Sequence, residues 1–296
     1  MARVMWYRVC WGNDDSTVLS LRRNDEKMKS SRSRLYLWGG LLLVLMLGVM
    51  LAEYLIPWDA YAQDLSMAQQ PPSAGHLLGT DRYGRDMLAR VLVGGRTSIW
   101  GALVVVLLIT AIGAVIGTGS GWYGGRIEQA WMGLSDVFLA FPGLVLALAV
   151  AGVSGGGMLQ AILALAAIGW PKYARLSRRL TASLKGEPYI DIARMRGISS
   201  WKIMGGHILP NMAGPILTTA VLDIGTMMME LAALSFLGLG VKPPTPEWGA
   251  MMSEGRRFLQ LSPWMVMAPG AAMCLTVGLF HLLGEALRDA FDPRER

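Results

Sequence analysis

Apolar residues gather into six runs, at about 35–52, 99–117, 137–153, 158–170, 216–239 and 264–283, separated by polar or glycine-rich stretches. A helix that crosses the hydrocarbon of a bilayer needs roughly 20 apolar residues, with about 17 as the lower limit. Five runs meet that length, and the fourth needs its flanks or neighbouring helices to complete it. The pattern predicts an all-α integral membrane protein with six transmembrane helices. It divides into an N-terminal extension (1–34), a first span (35–56), an outer segment (57–97) and a core of five spans (98–296) that contains a polar loop at 172–213.

Composition and charge agree with that reading. Hydrophobic residues make up 53% of the chain and charged ones only 16%, which places it in the membrane class before any motif is read. With both termini on the cytoplasmic side, the inner segments hold 20 of the 27 Lys and Arg residues, the asymmetry expected of cytoplasmic loops. The net charge of +6 therefore reports orientation and gives no reason to invoke nucleic acid. The first run follows a basic stretch and precedes Ala60-Tyr-Ala62, which imitates a cleavage site. It is longer than the apolar core of a signal peptide, and a long polar stretch lies before it, so it reads as a retained anchor. Residues 1 to about 30 show no clear periodicity and read as a mobile extension in which Met5-Trp-Tyr7 meets lipid. Cys10 and Cys274 are too few and too far apart for a disulfide or metal framework.

The polar loop contains Tyr189-Ile-Asp-Ile-Ala-Arg-Met-Arg-Gly197 and, ten residues on, His207-Ile-Leu-Pro-Asn211. Tyr189, Ile192 and Ala193 fall at helical spacing, as do Trp201, Met204 and Ile208, so two short amphipathic segments are predicted, hinged at Gly197. Glycine suits a hinge because it reaches positive φ at little cost. Pro210 is expected to stop the second segment, and Asn211 to cap the helix that follows. The alternative is a solvated connector between two spans, which would not need two apolar stripes.

These residues resemble the cytoplasmic docking loop of ABC importer permeases, with Asp191, Ile192 and Ala193 in the place of Glu-Ala-Ala, Gly197 as the glycine, and Ile208, Leu209 and Pro210 at its end. Asp191 shortens the family's acid and Ile192 replaces a small residue. Further stretches resemble the peptide, nickel and opine branch: Leu78-Gly-Thr-Asp-Arg-Tyr-Gly-Arg-Asp86 through Gly95-Arg-Thr-Ser98, Asp136-Val-Phe-Leu-Ala-Phe-Pro142, Leu234-Ser-Phe-Leu-Gly-Leu-Gly240 with Pro243-Pro-Thr-Pro-Glu-Trp-Gly249, and Gly284-Glu-Ala-Leu-Arg-Asp289 with Asp292-Pro293. Leu222 to Met228 and Val241 to Gly249 look more like the nickel branch than the oligopeptide one. The resemblance implies a type I ABC importer permease fold like that of the methionine importer, in a bacterial inner membrane. It also implies a second homologous permease, one or two ATPases that bind ATP and Mg, and an external solute-binding protein.

This chain itself has no Gly-x-x-x-x-Gly-Lys-Ser/Thr loop to cradle nucleotide phosphates, so no cofactor is expected in it. Gly119-Ser-Gly-Trp-Tyr-Gly124 imitates a dinucleotide fingerprint but follows an apolar helix. Gly113, Gly117, Gly121 and Gly125 instead form a four-residue repeat that permits close helix approach, as a sliding or a static contact. Within the fifth span, Asp223 and Glu230 are seven apart and share a helical face with Met227. An ionised group at the bilayer centre costs at least ~2.5 kcal/mol, so the three are candidates for the translocation path. The competing readings are acids paired with basic groups or helix ends, and methionine as core filler. His76, His207 and His281 share no ligand spacing, so no resident metal is expected. The alternatives are a channel or secondary transporter working alone, the latter favouring an inverted repeat, and an intramembrane enzyme, which would need a nucleophile set beside His and an acid. Neither signal is found.

Overall fold

The structure, a computed structural model, describes residues 15–291, with side-chain surroundings from residue 33 onward except at positions 53 and 55. The N-terminal residues 1–14, including Met5-Trp-Tyr7 and Cys10, and the terminal Asp292-Pro293 lie outside the described residues. Among the described residues the protein is helical, with a lone antiparallel bridge between Thr80 and Asp86. The helices are α1 (Asp15–Met50), α2 (Met87–Tyr123), α3 (Gly125–Leu139), α4 (Gly143–Val153), α5 (Met158–Lys185), α6 (Pro188–Met195), α7 (Ser200–Phe236), α8 (Trp248–Gly255) and α9 (Trp264–Phe291).

Helix α1 begins well before the apolar run, so residues 15–34 are helical where the sequence shows no periodicity. No glycine or proline interrupts that stretch, and leucine, arginine and lysine are good helix formers. Helix α2 likewise starts at Met87, inside the segment expected to lie outside the membrane, with Asp86 capping it through the Ala89 amide at 2.8 Å.

Among the described residues, four helical segments are long and apolar enough to cross a membrane: Ser33–Met50 of α1, then α2, α7 and α9. The third apolar run is not one straight helix. It is the pair α3 and α4, bent by 89°, because Pro142 is extended at φ −60°, ψ 117° and proline disfavours helical geometry in the residue before it. Counted as one broken span, the pair makes five. The fourth run opens α5, which is apolar only in its first half and then carries Lys172, Arg175, Arg178, Arg179 and Lys185. Among the described residues, length and composition alone thus give four crossings, or five with the bent pair counted as one.

The tightest helix pair is α2 against α5. A Cβ on Gly113 would stand 2.4 Å from Tyr173 Cβ, on Gly117 2.2 Å from the Ala174 carbonyl oxygen, and on Gly121 2.8 Å from that of Arg178. Gly125 departs from the stripe: it sits at φ +56° at the start of α3 with open space around it. Gly119 also faces open space and Gly124 is a left-handed turn at φ +68°, so the apparent dinucleotide fingerprint is a helix end.

Outside the membrane helices, residues 56–86 are mostly irregular but pinned by buried charge. Arg85 Nε donates to Asp81 at 2.6 Å and reaches Glu254 at 3.4 Å; Arg90 lies 3.5 Å from Asp81 and donates to the Ala60 carbonyl at 3.2 Å. Buried ions are tolerated when their hydrogen bonds are satisfied. Asp81 also accepts from the Tyr83 and Arg85 amides.

Glu247, fully buried, caps α8 through the Gly249 and Ala250 amides at 2.9 and 2.8 Å and accepts from the Ser98 hydroxyl at 3.0 Å. Trp248 donates its indole N–H to the Val91 carbonyl at 2.7 Å and lies over Gly95, where a Cβ would stand 2.8 Å from its ring. Burial pushes the Glu247 carboxyl above its ordinary range, against the opposing pull of the two amides and the Ser98 hydroxyl. A raised folded pKa favours the protonated form, so this contribution to stability is fully present below the unfolded value and is lost as pH rises through the folded one. Relative to Glu247→Gln, the wild-type Tm in detergent is expected to rise as pH is lowered from 8 toward roughly 4.5. A constant difference between the two across that range would refute the linkage.

Candidate functional site

Two places carry the residues singled out by the sequence. The first is the segment after α5. Gly186 ends that helix, Pro188 takes the first turn of α6 where its missing N–H costs nothing, and α6 stops at a glycine cap. The Gly197 amide donates to the Arg194 carbonyl at 2.9 Å and the Ile198 amide to that of Ala193 at 3.2 Å, with Gly197 at φ +72°. This is the paired closure that left-handed glycine gives a helix C-terminus. The hinge expected at Gly197 is therefore a rigid reversal of the chain.

Beneath it lies a separate apolar cluster of Trp122, Ile190, Ala193, Ile203, Met204, Ile208 and Met212. Of the expected docking residues, Ala193 and Ile208 belong to this buried base, whereas Tyr189, Asp191, Ile192, Gly197, Leu209 and Pro210 are exposed. The stripes are thus divided differently from the sequence reading. Ile190 and Ala193 point inward, while Ile192 and Met195, which is 84% exposed, form the outer face with Tyr189 and Trp201. Asp191 is bridged to Arg194 at 3.5 Å.

Pro210 does not stop the second segment. Helix α7 runs through it because residues Met204–Ile208 widen into a π turn, in which the Leu209 amide donates to the Met204 carbonyl five residues back. Asn211 is no N-cap. Its side-chain amide donates to the His207 carbonyl at 2.6 Å and lies 3.4 Å from the Tyr189 hydroxyl, which ties the two segments together.

The second place is the middle of α7. Asp223 is buried and takes Lys172 Nζ at 2.6 Å and the Tyr173 hydroxyl at 2.9 Å. Asp223 thus has a basic partner, Lys172. Glu230, two turns on, is half-buried and has no ion pair among the described residues. Met227 is buried in the core beside Met228, and Met229 is exposed on another side. Lys172 and Tyr173 were not among the residues singled out. The signal for Lys172 is that it is the first cation after the fourth apolar run, at a depth where an acid needs one. Asp136 pairs with Arg175 near the end of α3. The three histidines remain apart, His76 on Asp86 at 2.8 Å, His207 beside Tyr189, and His281 near Glu285 at 3.4 Å.

Residues 109–296 match the family model described as the binding-protein-dependent transport system inner membrane component. The glutathione transport system permease protein GsiD of Pectobacterium atrosepticum is 40% identical over 86% of this chain and 85% of its own length. The probable D,D-dipeptide transport system permease protein DdpC of Escherichia coli is 40% identical over 88% of each chain, and the nickel transport system permease protein NikC of the same species is 38% identical over 82% and 87%. A chain of the MetNI methionine ABC transporter, in an inward-facing form, superimposes with a TM-score of 0.48 at 18% identity, covering 70% of this chain and 98% of that one. This chain therefore belongs to the family of inner-membrane permease components of binding-protein-dependent transport systems. It is a permease subunit of a binding-protein-dependent ABC importer.

Proposed function

We propose that the subunit forms half of a translocation path with a second homologous permease and takes its drive from cytoplasmic ATPases through the α6–Gly197–α7 reversal. The carrying observation is the ridge of Tyr189, Ile192, Met195 and Trp201, exposed on a firmly buried base. An apolar ridge held rigid from beneath transmits displacement to the spans, since α7 continues from the reversal to Asp223 without a break. The cargo class follows the relatives, a di- or oligopeptide or a nickel chelate, delivered by an external solute-binding protein. Asp223 and Glu230 line the path, with Met227 packed behind them. ATP and Mg belong to the partner subunits.

Both termini are assigned to the cytoplasm, with α3 and α4 as one broken crossing and α5 as the sixth. An impermeant thiol reagent applied to intact cells is expected to label Ser73→Cys and Thr245→Cys and to leave Ser183→Cys untouched. Co-purification of the ATPase with wild type, and its loss on Ile192→Asp with Trp201→Asp, tests the coupling surface. Reversed labelling, or an ATPase retained on the charged ridge, would overturn the respective assignment.

A further inference from the structure

Lys172 is anomalous for its depth. At about 1.5 Å per residue, some 20 Å of α5 precede it and some 20 Å of α7 follow Asp223, so both helices place the pair about two-thirds of the way across a hydrocarbon of roughly 30 Å. Yet the Lys172 side chain is 57% exposed while Asp223 beneath it is 7% exposed. An ammonium turned toward lipid at that depth would cost several kcal/mol, so such groups face a bundle interior or a water-filled space. The pair is also unequal in its attachments. Asp223 keeps the Tyr173 hydroxyl at 2.9 Å when Lys172 leaves, whereas Lys172 has Asp223 as its sole ion-pair partner among the described residues. Lys172 is therefore the member that can exchange.

We propose, resting on the reading of α7 as path-lining, that Lys172 recognises a carboxylate in the moving solute, releasing Asp223 to do so, and that Glu230 meets the solute's amine. Glu230 lies seven residues nearer the outer end of α7, about 10 Å along the axis. An extended chain spans about 3.3–3.6 Å per residue, about 7 Å for a dipeptide and about 10 Å for a tripeptide, so a tripeptide matches the separation directly and a dipeptide meets it through the reach of the Lys172 and Glu230 side chains. The order, acid outside and base inside, suits a zwitterion that moves inward with its carboxylate leading. A bare divalent cation would be repelled at Lys172.

The test uses the complete importer with its ATPases in vesicles, on a cysteine-free background. Lys172→Cys is expected to react with both sulfonatoethyl and trimethylammonioethyl methanethiosulfonates. A reporter cysteine at the exposed Thr226 is expected to react with both reagents, and Lys172→Gln to lower its anionic-to-cationic rate ratio roughly fivefold, the effect of removing one nearby charge in a partly screened space. Excess alanylalanine is expected to slow the anionic reagent at Thr226→Cys, and alanylalanine amide to leave it unchanged. Unreactive Lys172→Cys, as when a partner subunit covers it, would overturn the proposal, as would an unchanged reagent preference in Lys172→Gln or equal effects of the two dipeptides. These labelling rates do not depend on ATPase coupling, so loss of the ridge assignment with normal labelling would remove only the docking reading.

Discussion

Replacing Gly117 with leucine is expected to abolish assembly of the permease, whereas the same change at Gly119, two residues away on the same helix, is expected to be tolerated. At Gly117 even a Cβ would stand 2.2 Å from the Ala174 carbonyl oxygen and 2.7 Å from Ser177 Cβ. The first of these is main chain of α5 and has no rotamer to yield. Overpacking usually costs 1–3 kcal/mol, and a clash with backbone along the tightest helix pair belongs at or above ~3 kcal/mol. At Gly119 nothing stands within 4 Å of the added atom, and leucine has the better helix propensity by up to about 1 kcal/mol. Membrane-fraction yield and a monodisperse detergent profile of the complex measure both. Equal behaviour of the two variants would show that α2 and α5 do not meet along this stripe.

Gly197→Val and Gly197→Pro are expected to leave the subunit in the membrane but to remove ATP-driven uptake and ATPase stimulation. The residue occupies φ +72° with no neighbour within 4 Å, so the obstacle is conformational and not steric crowding. A left-handed residue with a Cβ costs roughly 1–2 kcal/mol, more for a β-branched one, and proline cannot reach positive φ at all. Asparagine visits this region readily, so Gly197→Asn is expected to keep most of the coupling. That ordering of variants separates a backbone requirement from a need for empty space. Normal uptake by Gly197→Val would sink the role given to the reversal.

The same stripe and the same cap show what the sequence makes legible. A four-residue glycine repeat identifies the close face of α2, because few other patterns put backbone against backbone, and a lone glycine between two apolar segments identifies the reversal. Yet Gly125 continues the repeat in sequence and leaves it in space, since the helix ends at Gly124. Helix α6 defeats a stripe reading because it has apolar residues on both sides: Ile190 and Ala193 face the cluster and Ile192 and Met195 face away. Pro210 misleads because a π turn, invisible to a 3.6-residue period, absorbs the missing donor. Lys172 reads from the sequence only as one more cytoplasmic cation, because its partner lies 51 residues away.

The buried ions of the outer segment also bear on how the protein is made. Ser98 waits for Glu247, which is 149 residues later, and Arg85 for Glu254, 169 residues later. At about 5–20 residues per second of synthesis, those two contacts stay unmade for roughly 8–30 s while the intervening helices enter the bilayer, although Arg85 has Asp81 four residues away. A chain that stalls before α8 carries an outer segment whose contacts to Glu247 and Glu254 cannot form, so an unfinished subunit differs from a finished one on its outer face.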